Sequence, residues 1–140
     1  MRSLSSEEVK RSLPGVDELI SEARKYKLIG NEIFDEFSHD ELVEQYNGVG
    51  PDRFPGIVRN LLSYLISPAL PAVIVHDLKY YKGGNFDDFR RSNLELKKNA
   101  RILAKKKYKW YQIGRWRLWA VARLLQKFTD KYGLAGWNMR

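Results

Sequence analysis

The sequence predicts an all-α protein, and three observations carry that prediction. No stretch longer than a few residues alternates apolar and polar side chains with the period of two that a half-buried strand needs. Apolar residues instead recur three, four and seven apart, as at Val16, Leu19, Ile20 and Ala23, and again at Phe89, Leu96, Ala100 and Leu103. Helix boundaries are also punctuated. Ser5-Ser6-Glu7-Glu8 and Ser38-His39-Asp40-Glu41 both carry the S-x-x-E pattern, in which Ser and Glu satisfy each other's free backbone N–H groups, while Gly30 and Gly83-Gly84 stand where helices stop. With 140 residues the chain is sized for a single domain. Three parts follow one another in it: an acidic helical part (1–45), a central core part (46–100) and a basic aromatic helical part (101–140).

Taken in order, a short helix begins at the first capping pattern and stops near Pro14. A second runs from Val16 to about Tyr26. A third starts at Ser38 and carries Leu42 and Val43 towards Tyr46. Pro51 and Pro55 keep the next stretch irregular. Ile57 to Leu65 reads as a helix with Ile57, Leu61, Tyr64 and Leu65 on one side, ended by Pro68. Pro71 suits the first turn of the next helix, where its missing N–H costs little, and that helix runs to about Lys82. Asn85-Phe86-Asp87-Asp88 starts another, its acidic residues matched to the positive helix N-terminus, and it continues to about Lys106. Gly114 divides the last region into two segments, in which Ile113, Trp116, Ala120, Leu124 and Phe128 form the core stripe.

Charge is unevenly spread. The net charge is +8, yet residues 1–46 carry −5, residues 47–96 carry +1 and residues 97–140 carry +12. A basic region of that density implies an anionic partner: a phosphate-rich membrane, a nucleic acid, or the acidic N-terminal third itself. The chain has no cysteine, which excludes a disulfide framework and thiolate chemistry. The N-terminus lacks an apolar signal core. The longest apolar stretch, Leu61 to Val75, is interrupted by Pro68 and Pro71 and is too short to span a bilayer. The expected location is therefore cytoplasmic, with no transmembrane segment.

Two motifs carry chemistry. Tyr46-Asn47-Gly48-Val49-Gly50 reads Y-x-G-x-G; its glycines let the segment fold tightly and turn backbone carbonyls inward, where with a carboxylate they make an oxygen cage for a hard cation such as Ca²⁺. His76-Asp77-Leu78-Lys79-Tyr80 reads H-D-x-x-Y and sets a base, a carboxylate and a phenol on one helix. Positions 73, 76, 77 and 80 share a face. On the next helix Phe89, Asn93, Leu96, Ala100 and Leu103 share a face that is apolar except for Asn93. A polar residue in a core stripe needs a hydrogen-bond partner. The short Gly-Gly turn makes the two helices antiparallel neighbours, which sets Asn93 opposite His76.

Y-x-G-x-G followed by H-D-x-x-Y resembles the calcium loop and active-site helix of phospholipase A2, most closely the cysteine-free members of parvovirus-capsid and phage style. The resemblance spans roughly Tyr46 to Ala100. It implies calcium-dependent hydrolysis of the sn-2 ester of glycerophospholipids at a phospholipid membrane surface, and its parvovirus-capsid and phage style implies a virion-associated location as the alternative to the cytoplasm. Carbonyls of Tyr46, Gly48 and Gly50 and the carboxylate of Asp77 would bind Ca²⁺, at about 2.3–2.6 Å. His76 would take a proton from water, the ion and the Gly48 N–H would stabilise the oxyanion, and Tyr80 would hold the network behind the histidine.

The chain departs from that pattern at the residue that orients the histidine, which is Asn93 in place of an aspartate. An amide oxygen accepts the imidazole N–H but does not neutralise the imidazolium; in a serine-protease triad the same exchange lowers turnover about 10⁴-fold. Three accounts remain open: weak activity, help from another carboxylate at Asp87 or Asp88, or loss of catalysis. On the account of weak activity, Asn93→Asp raises the rate. A non-enzymatic alternative uses the basic aromatic region, from Lys105 through Trp119, to bind nucleic acid by stacking and charge, or an anionic membrane.

Overall fold

The computed structural model describes residues 15–47 and 67–140, with side chains as far as Glu44 in the first of these segments. The expected helices at 5–13 and 57–65 lie outside the described residues.

Helix α1 spans Val16–Lys25, with Val16, Leu19 and Ala23 turned inward, Asp17 and Glu18 at its N-terminal end and Arg24 and Lys25 at the other, as the helix dipole favours. The chain leaves it through Lys27 and Gly30, both at positive φ, into a 3₁₀ turn, Asn31–Glu36, that buries Ile33 and Phe34. Ser38 then caps α2 (His39–Asn47) reciprocally with Glu41: the Glu41 N–H donates to Ser38 Oγ at 3.2 Å, and the Ser38 N–H donates to Glu41 Oε1 at 3.1 Å.

Helix α3, Leu70–Lys82, buries every residue from Leu70 to His76 and also Leu78, which is the pattern of a helix enclosed on nearly all sides. It stops at Gly83, whose φ is +78°. A Cβ there would lie 1.9 Å from the Asn138 carbonyl oxygen, so the turn admits only glycine. Helix α4, Phe86–Lys107, opens on a complete capping box between Asn85 and Asp88. Its predicted stripe of Phe89, Asn93, Leu96, Ala100 and Leu103 is buried throughout. Helix α5 spans Ile113–Tyr132 and runs into a short 3₁₀ turn, Gly133–Gly136.

The molecule is all-α. Among the described residues there is no strand; the only β-type pairing is an isolated bridge between Gly84 and Met139. Helix α3 packs between α1 and α4, and α4 packs in turn against α5. One continuous apolar core joins residues of all five helices. Asn99, fully buried on α4, fastens the turn after α1 to that core by accepting from the Ile29 N–H at 2.6 Å and donating to the Ile29 carbonyl at 2.9 Å. No described helix is long and apolar enough to cross a membrane.

The last region differs from the expectation. The break falls at Tyr108–Gln112, where Tyr108 turns to extended backbone and Gln112 Oε1 accepts from the Lys109 N–H at 2.7 Å. Gly114 lies inside α5 and divides nothing. It leaves room for the Tyr108 ring, whose Cε1 would lie 2.5 Å from an added Cβ. The face that α5 buries is Leu118, Val121 and Ala122, not the expected stripe. Ile113, Trp116, Leu124 and Phe128 are all exposed, Ile113 by 74%. Leu118 and Ala122 of α5 join the same apolar core as Ala100, Leu103 and Ala104 of α4, and Ala100, Ala104 and Ala122 are fully buried there.

Candidate active site

The site is built on the α3–α4 pair. Tyr80 meets Phe89 and His76 meets Asn93, so residue numbers fall on one helix as they rise on the other, and the pair is antiparallel as its short Gly-Gly turn requires. Asn93 is fully buried and His76 is 5% exposed. Their side chains join directly, His76 Nε2 to Asn93 Oδ1, at 2.9 Å. The same oxygen accepts from the Tyr80 hydroxyl at 2.7 Å. Tyr80 sits one turn beyond His76, with ring centroids 4.3 Å apart, and the edge-on ring of Trp137 closes its far side at 5.1 Å. Burial, reinforced by the nearby carboxylates Asp77 and Asp130, pushes the Tyr80 phenol well above its ordinary range. The phenol therefore stays protonated and remains a donor.

Trp137 reaches the site because the C-terminal segment returns to the Gly83-Gly84 turn. The Trp137 indole N–H donates to the Gly84 carbonyl at 3.0 Å, the Arg140 N–H donates to the same carbonyl at 2.8 Å, and the Asn138 N–H donates to the Tyr80 carbonyl at 3.2 Å. This strap covers Tyr80 and Phe89 and shields the hydrogen bonds beneath from water.

Asp77 is partly buried beside the histidine, its Oδ1 3.5 Å from His76 Nδ1. Its other oxygen, Oδ2, is buried and has no hydrogen-bond partner among the described residues. A buried carboxylate oxygen left unpaired is costly, and a hard cation is one group that would satisfy it. The described residues contain no cluster of three or more His, Asp or Glu side chains able to hold a metal unaided. The remaining ligands that the resemblance implies do not fall within what is described: Tyr46 is the penultimate residue of α2 with its side chain outside the described residues, and Gly48 and Gly50 lie outside them as well.

The carboxylate behind Asn93 is neither Asp87 nor Asp88. Asp88 is spent on the Asn85 capping box and on Arg91, 3.3 Å away, while Asp87 is exposed in the first turn of α4. The partner is Asp130 on α5, whose Oδ1 accepts from Asn93 Nδ2 at 2.9 Å. Sequence reasoning missed it, though one signal pointed there: residues 97–140 contain 13 basic side chains and a single acidic one, Asp130. His39 is remote from all this, exposed and paired with Asp17 at 3.0 Å.

At the C-terminal end of α4 the basic aromatic corner is exposed, with Trp110 70% exposed among Lys105, Lys106 and Lys109. Trp119 is instead partly buried under Arg101 at 4.5 Å and Lys105 at 5.4 Å. Lys107 reaches back to Glu22 at 3.1 Å, an ion pair between the basic third and the acidic one.

No family model, curated protein or solved structure matches the chain.

Proposed function

We propose that this protein is a phospholipase A2-like hydrolase that uses Ca²⁺ to cleave the sn-2 ester of glycerophospholipids at a membrane surface. The observation that carries the reading is the His76–Asn93–Tyr80 hydrogen-bond set on an antiparallel helix pair, with Asp77 beside the ring. A buried histidine held by a hydrogen bond on one nitrogen, with the other directed at a half-open carboxylate, is arranged as a general base.

His76 takes a proton from the water that attacks the ester carbonyl carbon. The bond between that carbon and the glycerol oxygen breaks, His76 returns the proton to the leaving alkoxide, and the products are a fatty acid and a lysophospholipid. Tyr80 and Asn93 hold the ring through this exchange. Asp77, with carbonyls of Tyr46, Gly48 and Gly50, would hold Ca²⁺, which supplies positive charge to the ester oxygen.

The test is fatty-acid release from phospholipid vesicles with and without calcium. The parent releases fatty acid only with calcium, and His76→Gln lowers the rate by about 10²–10⁴-fold, the usual worth of a general base. Asp77→Ala abolishes both calcium binding and turnover. A parent protein that binds calcium yet hydrolyses nothing would overturn the reading.

A second reading is a non-enzymatic module that binds nucleic acid or anionic lipid. It is favoured by one observation, the exposed Trp110, Tyr111 and Trp116 among lysines and arginines.

A further inference from the structure

We propose that Asp130 is the positioning residue of this site: acting through Asn93, it fixes which nitrogen of His76 carries the proton and supplies, one side chain removed, the negative charge that an aspartate at position 93 would have supplied directly. The role in catalysis rests on the hydrolase reading; the effect on the ring does not.

The inference follows from what each group is able to donate or accept. An ionised carboxylate only accepts, so the Asn93 group facing Asp130 at 2.9 Å is the NH₂. The Asn93 carbonyl oxygen is therefore turned the other way, towards His76 and Tyr80. That oxygen also only accepts. His76 Nε2 must then carry a hydrogen, and in the neutral ring this leaves Nδ1, 3.5 Å from Asp77 Oδ1, as the nitrogen with the lone pair. With no carboxylate on α5, the Asn93 amide could rotate by half a turn and present its NH₂ to Nε2, which would move the ring hydrogen to Nδ1 and remove the base.

The chain of bonds also carries charge. A carboxylate pulling on one end of an amide makes the oxygen at the other end a stronger acceptor, because successive hydrogen bonds polarise one another. When His76 gains a proton, the positive ring faces a polarised carbonyl with a carboxylate behind it. This arrangement alters an expectation drawn from the sequence. Asn93→Asp alone would bring two carboxylates to hydrogen-bonding distance, where both do not ionise together. It will not raise activity. The reciprocal exchange, Asn93→Asp with Asp130→Asn, keeps every donor opposite an acceptor and moves the charge next to the ring.

The experiment uses the full chain labelled with ¹⁵N. There are two histidines, and His39→Gln assigns them. The parent should show a slowly exchanging His76 Nε2–H correlation, with Nδ1 at the shift of an unprotonated ring nitrogen. Asp130→Ala should lose the protected Nε2–H signal and move both nitrogen shifts towards those of a ring that samples both tautomers. The double exchange should restore the parent spectrum. In the vesicle assay, turnover should fall about tenfold to a hundredfold in Asp130→Ala, in line with a lost charged hydrogen bond, and return in the double exchange but not in Asn93→Asp alone. An unchanged Nε2–H signal in Asp130→Ala overturns the proposal. So does a double exchange that fails to fold or to restore the signal, because that protein keeps the full set of hydrogen bonds. A parent without hydrolase activity would sink the functional reading alone, and the spectra would still decide the role of Asp130.

Discussion

The surroundings of Tyr80 give the folded protein a pH dependence in the alkaline range. The Tyr80 hydroxyl donates to Asn93 Oδ1 and its ring is enclosed by His76, Phe89 and Trp137. Burial holds the phenol protonated in the folded protein to a pH well above its ordinary value of 10.0. In the unfolded chain the same phenol ionises near that ordinary value. Above it the unfolded state binds fewer protons than the folded one, so the contribution of Tyr80 is complete below about pH 10 and declines as the pH rises from there towards the raised value. Denaturant unfolding across pH 9–11.5 should show this decline. Tyr80→Phe should remove that part of it, while lowering stability near neutrality by about 0.5–1.5 kcal/mol for the lost hydrogen bond. Identical alkaline slopes in the two proteins would show that the phenol is not held in this way. That Asn93 faces His76 is legible from helix phase and the Gly-Gly turn, because each stands on a face set by spacing within one helix, whereas Tyr80 enters through the H-D-x-x-Y motif and its resemblance. Asp130 is not legible, because its contact with Asn93 spans 37 residues and depends on how α5 is rolled against α4.

Legibility among the elements follows the same division between local and non-local causes. The boundaries of α1, α3 and α4 were readable because local chemistry makes them: Pro71 in a first turn, the Asn85–Asp88 capping box, and glycines at positive φ. The roll of α5 was not, because both of its faces carry apolar side chains. Taken together, Ile113, Trp116, Leu124 and Phe128 carry more apolar surface than Leu118, Val121 and Ala122, yet the second set is the one buried. Hydrophobicity along the helix favours the first face, and close packing in the common core, which spacing along one helix does not report, favours the second. The Gly83 turn is the element whose failure would be most visible. Gly83→Ala places a methyl group on the Asn138 carbonyl and also asks alanine to adopt φ +78°. The strap should detach, exposing Trp137 and the ring of Tyr80. We expect a red-shifted tryptophan emission and a stability loss of at least about 1 kcal/mol, the scale of a left-handed backbone cost. A variant with unchanged emission and unchanged stability would mean that the strap does not depend on this turn.

At the scale of the whole molecule, charge is segregated between the acidic first third and the basic last third, and the fold joins the two only in part. Lys107 is spent on Glu22 and on the Pro68 carbonyl, so it belongs to the structure. Lys105, Lys106 and Lys109 remain exposed around Trp110 and Tyr111 at the α4–α5 corner. Each lysine near an anionic bilayer is worth about 1 kcal/mol, and exposed indole rings add apolar anchoring at the interface. The protein should therefore bind vesicles containing anionic phospholipid and not purely zwitterionic ones. The attraction should weaken with salt, since exposed charges are screened over about 10 Å at 0.1 M. Replacing Lys105, Lys106 and Lys109 together by Glu, while keeping Lys107, should remove the binding and leave the helix content unchanged. Sedimentation with the two kinds of vesicle decides the matter, and equal binding to both rules out an electrostatic role. Single-stranded DNA serves as the competitor. Stacking on Trp110 and Tyr111 with counterion release would make DNA displace the vesicles at physiological salt, with log affinity falling linearly against log salt. That result would make the nucleic-acid reading the leading one for this corner, while the His76 site would still be judged by hydrolysis.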